Sequence, residues 1–297
     1  MLRAPGRSAH RVLSSFGTAP RRGYALHTPE PVPLSSEKQA SPTASSQPPV
    51  VVLHGLFGSK QNWRSLAKGM AKRLERDVIT LDLRNHGHSP HRRECSYEDL
   101  AADVKAFIEQ EEKLSDCVLV GHSMGGKVAM ALALGGCDPI SKLVVVDISP
   151  AVGKISPEFQ AYVTAMNQIQ DAKVHSRKEA DDLLQATESD LGVRQFLLTN
   201  LDRASPSDPY HFRIPLHFLQ NAIDEIGAFP YTPGERVFEK PSLFLKGSKS
   251  KYINSRNIPV IKQFFPNAQL ETLDAGHWVH AERPKEFVEL LADFCNP

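Results

Sequence analysis

One stretch, Val118-Leu119-Val120-Gly121-His122-Ser123-Met124-Gly125-Gly126-Lys127-Val128, limits what this chain can fold into more than any other. Val118, Leu119 and Val120 form a short apolar run suited to a buried strand, and residues 128–133 continue as a helical segment. The chain must therefore pass from strand to helix with no spare residues. A turn that sharp crowds the positions on either side of its centre, so both favour glycine, and Gly121 and Gly125 occupy them. Ser123 at the centre is held in a strained conformation with its hydroxyl clear of the backbone. The N-terminus of the following helix offers N–H groups to a developing oxyanion. The pattern is Gly-x-Ser-x-Gly, a nucleophile elbow. Gly121 to Lys127 also matches the start of a Gly-x-x-x-x-Gly-Lys phosphate loop, but Val128 stands where that loop needs a hydroxyl for magnesium. Nucleotide binding is rejected on that ground.

Around the elbow, apolar runs alternate with helical patterns. Runs at 50–53, 78–83, 142–146, 241–245 and 269–273 read as further strands, several of them continuously apolar as in strands buried on both faces. Helical periodicity occupies residues 62–74, a segment opened by Ser96 with Leu100, Val104, Phe107 and Ile108 on one face, and a last helix entered at Pro284 that buries Phe287, Leu290, Leu291 and Phe294. Residues 151–239 change rhythm to helical segments at 158–170, 177–185, 193–201 and 215–226, with no clear strand. The expectation is an α/β fold with a mostly parallel sheet, helices on both faces, a core at 48–150 and 240–297, and a helical cap at 151–239. Its active-site loops belong at the strand C-termini.

The chain has 297 residues, 41% of them hydrophobic, enough for one large domain with an insertion. Lys and Arg number 35 against 34 Asp and Glu, so nucleic acid is not expected as a partner. No apolar run reaches membrane-spanning length. Cys95, Cys117, Cys137 and Cys295 show no Cys-x-x-Cys pair, which argues for free thiols rather than zinc sites or a disulfide scaffold. His86, His88 and His91 cluster in one loop, but with no carboxylate or thiolate suitably placed they read as loop hydrogen-bonders. Residues 1–24 carry five arginines, Arg3, Arg7, Arg11, Arg21 and Arg22, with no lysine, and no acidic residue comes before Glu30. That is the pattern of a mitochondrial presequence, cut after Tyr24, and it predicts a matrix location. Residues 25–47, rich in Pro and Ser, read as a linker or extended lead-in in which any strand is short.

Ser123, Asp147 and His277 all follow predicted strands, so they belong at one edge of the sheet. Their order, Ser then Asp then His, is that of the α/β-hydrolase triad. His277 would take the Ser123 proton, and an acid would hold its tautomer. There is no Asp or Glu from 240 through 270, so the acid must come from elsewhere. Asp147 is favoured over Asp224, which sits in an amphipathic cap helix. His280 is a rival base but starts a helical segment, which suits a structural role. Leu56, in the Gly55-Leu56-Phe57-Gly58 loop, and Met124 are the expected backbone N–H donors of the oxyanion hole.

The strings Leu53-His54-Gly55-Leu56-Phe57-Gly58-Ser59-Lys60, Arg84-Asn85-His86-Gly87-His88-Ser89-Pro90, Val146-Asp147-Ile148-Ser149-Pro150 and Gly276-His277-Trp278, together with the elbow, resemble the mitochondrial abhydrolase-domain-containing protein 11 group. In the cap, the string from Val193 through Arg194-Gln195-Phe196-Leu197-Leu198-Thr199-Asn200 to Leu201 is similar too. That group includes small bacterial esterases and fungal ethanol acetyltransferases, and the resemblance runs from about residue 48 to the C-terminus. It implies hydrolysis of short-chain esters or thioesters through an acyl-enzyme, and transfer of an acyl group to an alcohol. It implies no cofactor, acetyl-CoA entering only as substrate. It also implies contact with lipoylated matrix dehydrogenases, so a protective binding partner with an idle triad is the alternative reading. Haloalkane dehalogenase and epoxide hydrolase readings fail because they need Asp where this chain has Ser123.

Overall fold

The computed structural model describes residues 28–43, 46–153 and 156–296, with the side chains of 221–224 outside the description. The arginine-rich stretch read as a presequence lies outside the described residues. A seven-stranded sheet forms the centre: β1 (Ser36–Gln39), β2 (Val50–Leu53), β3 (Val78–Leu81), β4 (Cys117–His122), β5 (Ile140–Val146), β8 (Ser242–Gly247) and β9 (Ala268–Leu273), in the order β1-β3-β2-β4-β5-β8-β9. Only β1 runs antiparallel to its neighbour, β3.

Alternation along each strand splits the core in two. Val51, Leu53, Leu119, Leu143 and Val145 face one side of the sheet, where α2 (Tyr97–Ala106), α3 (Met124–Gly135) and α8 (Ile258–Phe264) pack. Val50, Val52, Val118, Val120, Val144 and Val146 face the other, against Trp63, Met70 and Leu74 of α1 (Lys60–Leu74) and Phe287 and Leu291 of α10 (Pro284–Cys295). Burial on both faces is why these strands read as unbroken apolar runs. A π turn, Phe107–Glu111, extends α2, and the short α9 (Val279–Glu282) precedes α10.

Between β5 and β8 lie α4 (Pro157–Asp171), α5 (Arg177–Leu184), α6 (Leu191–Leu198) and α7 (Leu216–Ile226). Four helices thus lie in the stretch read as helical, but Leu201, read as the end of a helix, starts a two-residue strand instead. Here β6 (Leu201–Asp202) pairs with β7 (His211–Phe212), a ladder too short to show periodicity. Within 25–47, β1 is the short strand, and Val32 and Leu34 just before it are buried.

Candidate active site

The elbow is built as its sequence requires, with one refinement. A Cβ on Gly121 would lie 2.3 Å from the Gly125 carbonyl oxygen, so the turn itself forbids a side chain there. A Cβ on Gly125 would lie 2.4 Å from the His54 carbonyl oxygen, so that glycine is enforced by the end of the neighbouring strand. Ser123, between them, has φ 52° and ψ −119°, a conformation an L-residue holds only when its surroundings over-determine it. Phe57, Asn85 and Asp147, all on loops at the C-terminal ends of central strands, also have positive φ.

His277 Nε2 lies 3.0 Å from Ser123 Oγ, and its Nδ1 lies 2.8 Å from Asp147 Oδ2. With Nδ1–H donating to the carboxylate, Nε2 is free to accept the serine proton. Asp147 is fully buried at the end of β5 and takes two further donors from across the sheet. The Gly247 N–H donates to Oδ1 at 3.0 Å, and the Ser250 hydroxyl donates to Oδ2. The structure therefore brings together Ser123, Asp147 and His277, while the side chain of the rival acid Asp224 lies outside the described residues.

Leu56 borders Ser123 through its neighbour: a Cβ on Gly55 would lie 3.2 Å from Ser123 Cβ. Among the described residues the Leu56 N–H makes no hydrogen bond. Met124 is the first residue of α3, so its N–H has no partner inside the helix. Two buried histidines fix this loop. His54 Nδ1 donates to the Gly55 carbonyl at 2.8 Å, and its Nε2 accepts from the Leu83 N–H at 3.0 Å. His86 Nδ1 donates to the Arg84 carbonyl at 2.9 Å, and its Nε2 accepts from the Phe57 N–H at 3.3 Å. Each therefore stays neutral, and burial pushes His86 down to about 3. Among the described residues no His, Cys, Asp or Glu cluster could hold a metal.

His280, the rival base, is buried, stacked on Trp63 with ring centroids 4.1 Å apart, and pushed by burial down to about 3. It packs against His122, which lies 4.5 Å away ring to ring. His122 is a position sequence reasoning passed over, because the elbow motif leaves it unspecified. Buried and held neutral by desolvation, it donates from Nε2 to the His277 carbonyl at 3.0 Å and so ties the histidine loop to the elbow. Ser250 and Asn200 were missed as well. Nothing in the local pattern of either marks a partner more than 100 residues away.

Two cavities meet at Ser123. One, about 30 Å³, has a mostly apolar surface, and its walls include Leu56, Phe159, Val193, Phe196, Leu197 and Trp278 beside the histidines His54, His122 and His280 and the Asn62 side chain. The other, about 260 Å³, is nearly half polar and includes Lys127, Ser149, Lys251 and Asn254. The Lys127 ammonium, pushed by burial down to about 8, donates to the carbonyls of Gly227 and Ala228 at 3.0 and 2.8 Å. Beside it, the Tyr97 hydroxyl donates to the Ile226 carbonyl at 2.8 Å. Cations and donors at a helix C-terminus complete its unpaired carbonyls, so these contacts fasten the exit of α7 to the core.

This fold and this arrangement define the class. Residues 48–284 match the family described as alpha/beta hydrolase fold, and the chain belongs to it. It is an enzyme of the serine-hydrolase type within that fold. The chain is similar to the sn-1-specific diacylglycerol lipase ABHD11 of Mus musculus, 43% identical over 83% of this chain and 80% of the relative. It is also similar to a probable alcohol acetyltransferase of Saccharomyces cerevisiae, 41% identical over 84% of this chain and 78% of the relative. Among solved structures, a marine microorganism esterase superposes with a TM-score of 0.81 at 34% identity, covering 89% of this chain and 99% of that one.

Proposed function

We propose that this chain is a mitochondrial serine hydrolase acting on short-chain esters or thioesters through an acyl-enzyme, and that it also transfers the acyl group to an alcohol. The observation that carries the chemistry is the continuous relay from Ser123 through His277 to a fully buried, three-donor Asp147. Ser123 Oγ attacks the carbonyl carbon and its proton passes to His277 Nε2. The Leu56 and Met124 N–H groups hold the oxyanion, and Asp147 stabilises the imidazolium. His277 then protonates the departing alcohol or thiol, and water or a second alcohol repeats the sequence in reverse to release the acyl group.

The two cavities support the choice of substrate. A hydrocarbon chain belongs in the narrow, mostly apolar slot of about 30 Å³, which favours a short acyl group. The leaving group and the acceptor alcohol belong in the larger, more polar cavity. The matrix location is supported by the acid-free, arginine-rich residues 1–24.

The test is turnover of acyl esters from acetyl to octanoyl, and of acetyl-CoA with and without ethanol, by the wild type and Ser123→Ala. Serine-dependent turnover favouring acetyl and propionyl groups is expected, with ethyl acetate formed when ethanol is present. A preference for octanoyl would overturn the assignment of the slot. Absence of serine-dependent turnover with every donor would instead favour a protein acting through contact. For location, N-terminal sequencing of the protein from cells should begin at Ala25, and an intact Met1 would contradict the presequence.

A further inference from the structure

The cap string from Val193 to Leu201 has so far supplied only wall residues. Val193, Phe196 and Leu197 share one face of α6, and Asn200, seven residues after Val193, continues that stripe beyond the helix end. Asn200 is buried, and its Nδ2 donates to the Phe57 carbonyl at 2.8 Å and to the Leu197 carbonyl at 3.1 Å. Its own backbone is anchored in the cap: its N–H donates to the Leu197 carbonyl at 3.2 Å, and its carbonyl accepts from the Arg213 N–H at 2.9 Å. Arg177 reaches across from α5 to the Leu198 carbonyl at 2.8 Å.

The loop that Asn200 grips has no regular structure to hold it. Leu56 N–H and Gly55 C=O belong to one planar trans peptide, so the direction of the N–H is fixed by whatever holds that oxygen. The Gly55 oxygen is held by His54 Nδ1 and by the Gly58 N–H at 3.0 Å. The turn closed by that second bond passes through Phe57, whose φ of 62° is costly for a bulky residue. Phe57 stays there because its N–H is tied to His86 in the core and its carbonyl to Asn200 in the cap. One of those two ties comes from outside the hydrolase core.

We propose that Asn200 is a positioning residue that clamps the oxyanion loop from the cap, so that the helix face lining the acyl slot also holds the Leu56 N–H on the reacting oxygen. The inference rests on the reading of Ser123 and Leu56 given above. Its consequence is that the core histidines and the cap share the oxyanion loop, and the core alone holds the hole less well than both together. A cap shifted by a misfitting acyl group loosens Phe57 and thereby misplaces the Leu56 N–H, which links acyl fit to rate.

The experiment compares the full-length wild type with Asn200→Ala and Asn200→Asp, each assayed well below its own melting temperature. The readouts are kcat and KM for an acetyl ester and inhibition by a methyl trifluoromethyl ketone, whose adduct on Ser123 carries an oxyanion. Asn200→Ala should lower kcat roughly 10- to 100-fold with KM within about twofold, and weaken the ketone by a similar factor. Asn200→Asp sets a carboxylate against the Phe57 carbonyl, so its loss should be larger at neutral pH, and its deficit relative to wild type at the same pH should shrink as acid restores an O–H donor. Should Asn200→Ala fail to fold, the equal-sized Asn200→Asp with its pH profile decides. A kcat within twofold of wild type in both variants, or a loss confined to KM with ketone affinity unchanged, overturns the clamp while the serine mechanism stands. Wild-type turnover that survives Ser123→Ala overturns the reading of the site itself, and the clamp with it.

Discussion

Replacing Asp147 by Asn tests the relay at the point where its geometry is most constrained. Three donors converge on the carboxylate: the Gly247 N–H on Oδ1, and His277 Nδ1 and the Ser250 hydroxyl on Oδ2. An asparagine offers one acceptor oxygen and one donor amide, so one of these positions must meet N–H with N–H. Gly247 is backbone and cannot turn away, whereas the Ser250 hydroxyl can rotate to accept and the imidazole can change tautomer. The amide oxygen therefore stays on Gly247 and the NH₂ faces His277. The ring then carries its proton on Nε2, 3.0 Å from Ser123 Oγ, and cannot accept the serine proton. The expected loss in kcat is about 10⁴-fold, or about 5.5 kcal/mol of barrier, with the fold retained. The assay is steady-state hydrolysis of an acetyl ester beside thermal unfolding of the same samples, with Asp224→Asn as the companion. Activity of Asp147→Asn within tenfold of wild type, or an equal loss in Asp224→Asn, would refute the argument.

Three further perturbations reach other parts of the molecule. Gly121→Ala drives a Cβ to 2.3 Å from the Gly125 oxygen, so it should abolish turnover and destabilise by at least about 3 kcal/mol in denaturant titration; a near-normal midpoint would contradict the packing. Arg84→Met leaves Asp103, fully buried and bound by the Arg84 Nε and Nη2 at 2.6 and 2.7 Å, without its cation, and should cost about 3–5 kcal/mol by the same measurement. His280 is held at about 3 when folded and lies near 6.5 when unfolded, so the unfolded chain binds a proton in that window that the folded chain does not. Its contribution is intact above pH 6.5 and is lost as pH falls toward 3, at about 1.4 kcal/mol per unit. Phe at 280 keeps the stack on Trp63, so His280→Phe should lose about 2–3 kcal/mol less than wild type between pH 6.5 and 4.5. Parallel stability curves for the two proteins would show that His280 does not titrate in this way.

What the sequence made legible was whatever is written within one element or its exit. The central strands show as apolar runs because both sheet faces are buried. Ser123, Asp147 and His277 show because each follows a strand. By contrast β1, Ser36-Glu37-Lys38-Gln39, is half exposed at the sheet edge and has no apolar alternation to reveal it. The β6–β7 ladder has two residues a side, below any period. Asn200, His122 and Ser250 act through single polar atoms on partners 143, 155 and 103 positions away, and no local pattern encodes such a distance.

Ser250 also explains how the acid can stand on β5 when the loop after β8 offers none. The two strands are adjacent and parallel, with Val146 opposite Leu245, so their C-terminal ends open onto the same point of the sheet edge. The Asp147 N–H continues the ladder to the Leu245 carbonyl at 2.8 Å, and φ of 49° then turns the residue toward the histidine. A carboxylate entering from β5 is fully buried, so its oxygens need protein hydrogen-bond donors besides His277. The last residue of β8 supplies one through the Gly247 N–H and the loop after it supplies another through the Ser250 hydroxyl, and the Tyr252 N–H donates to Ser250 Oγ at 3.2 Å. The absence of any acid from 240 through 270 is thus the complement of Asp147: one strand brings the charge, and its neighbour brings the groups that orient it.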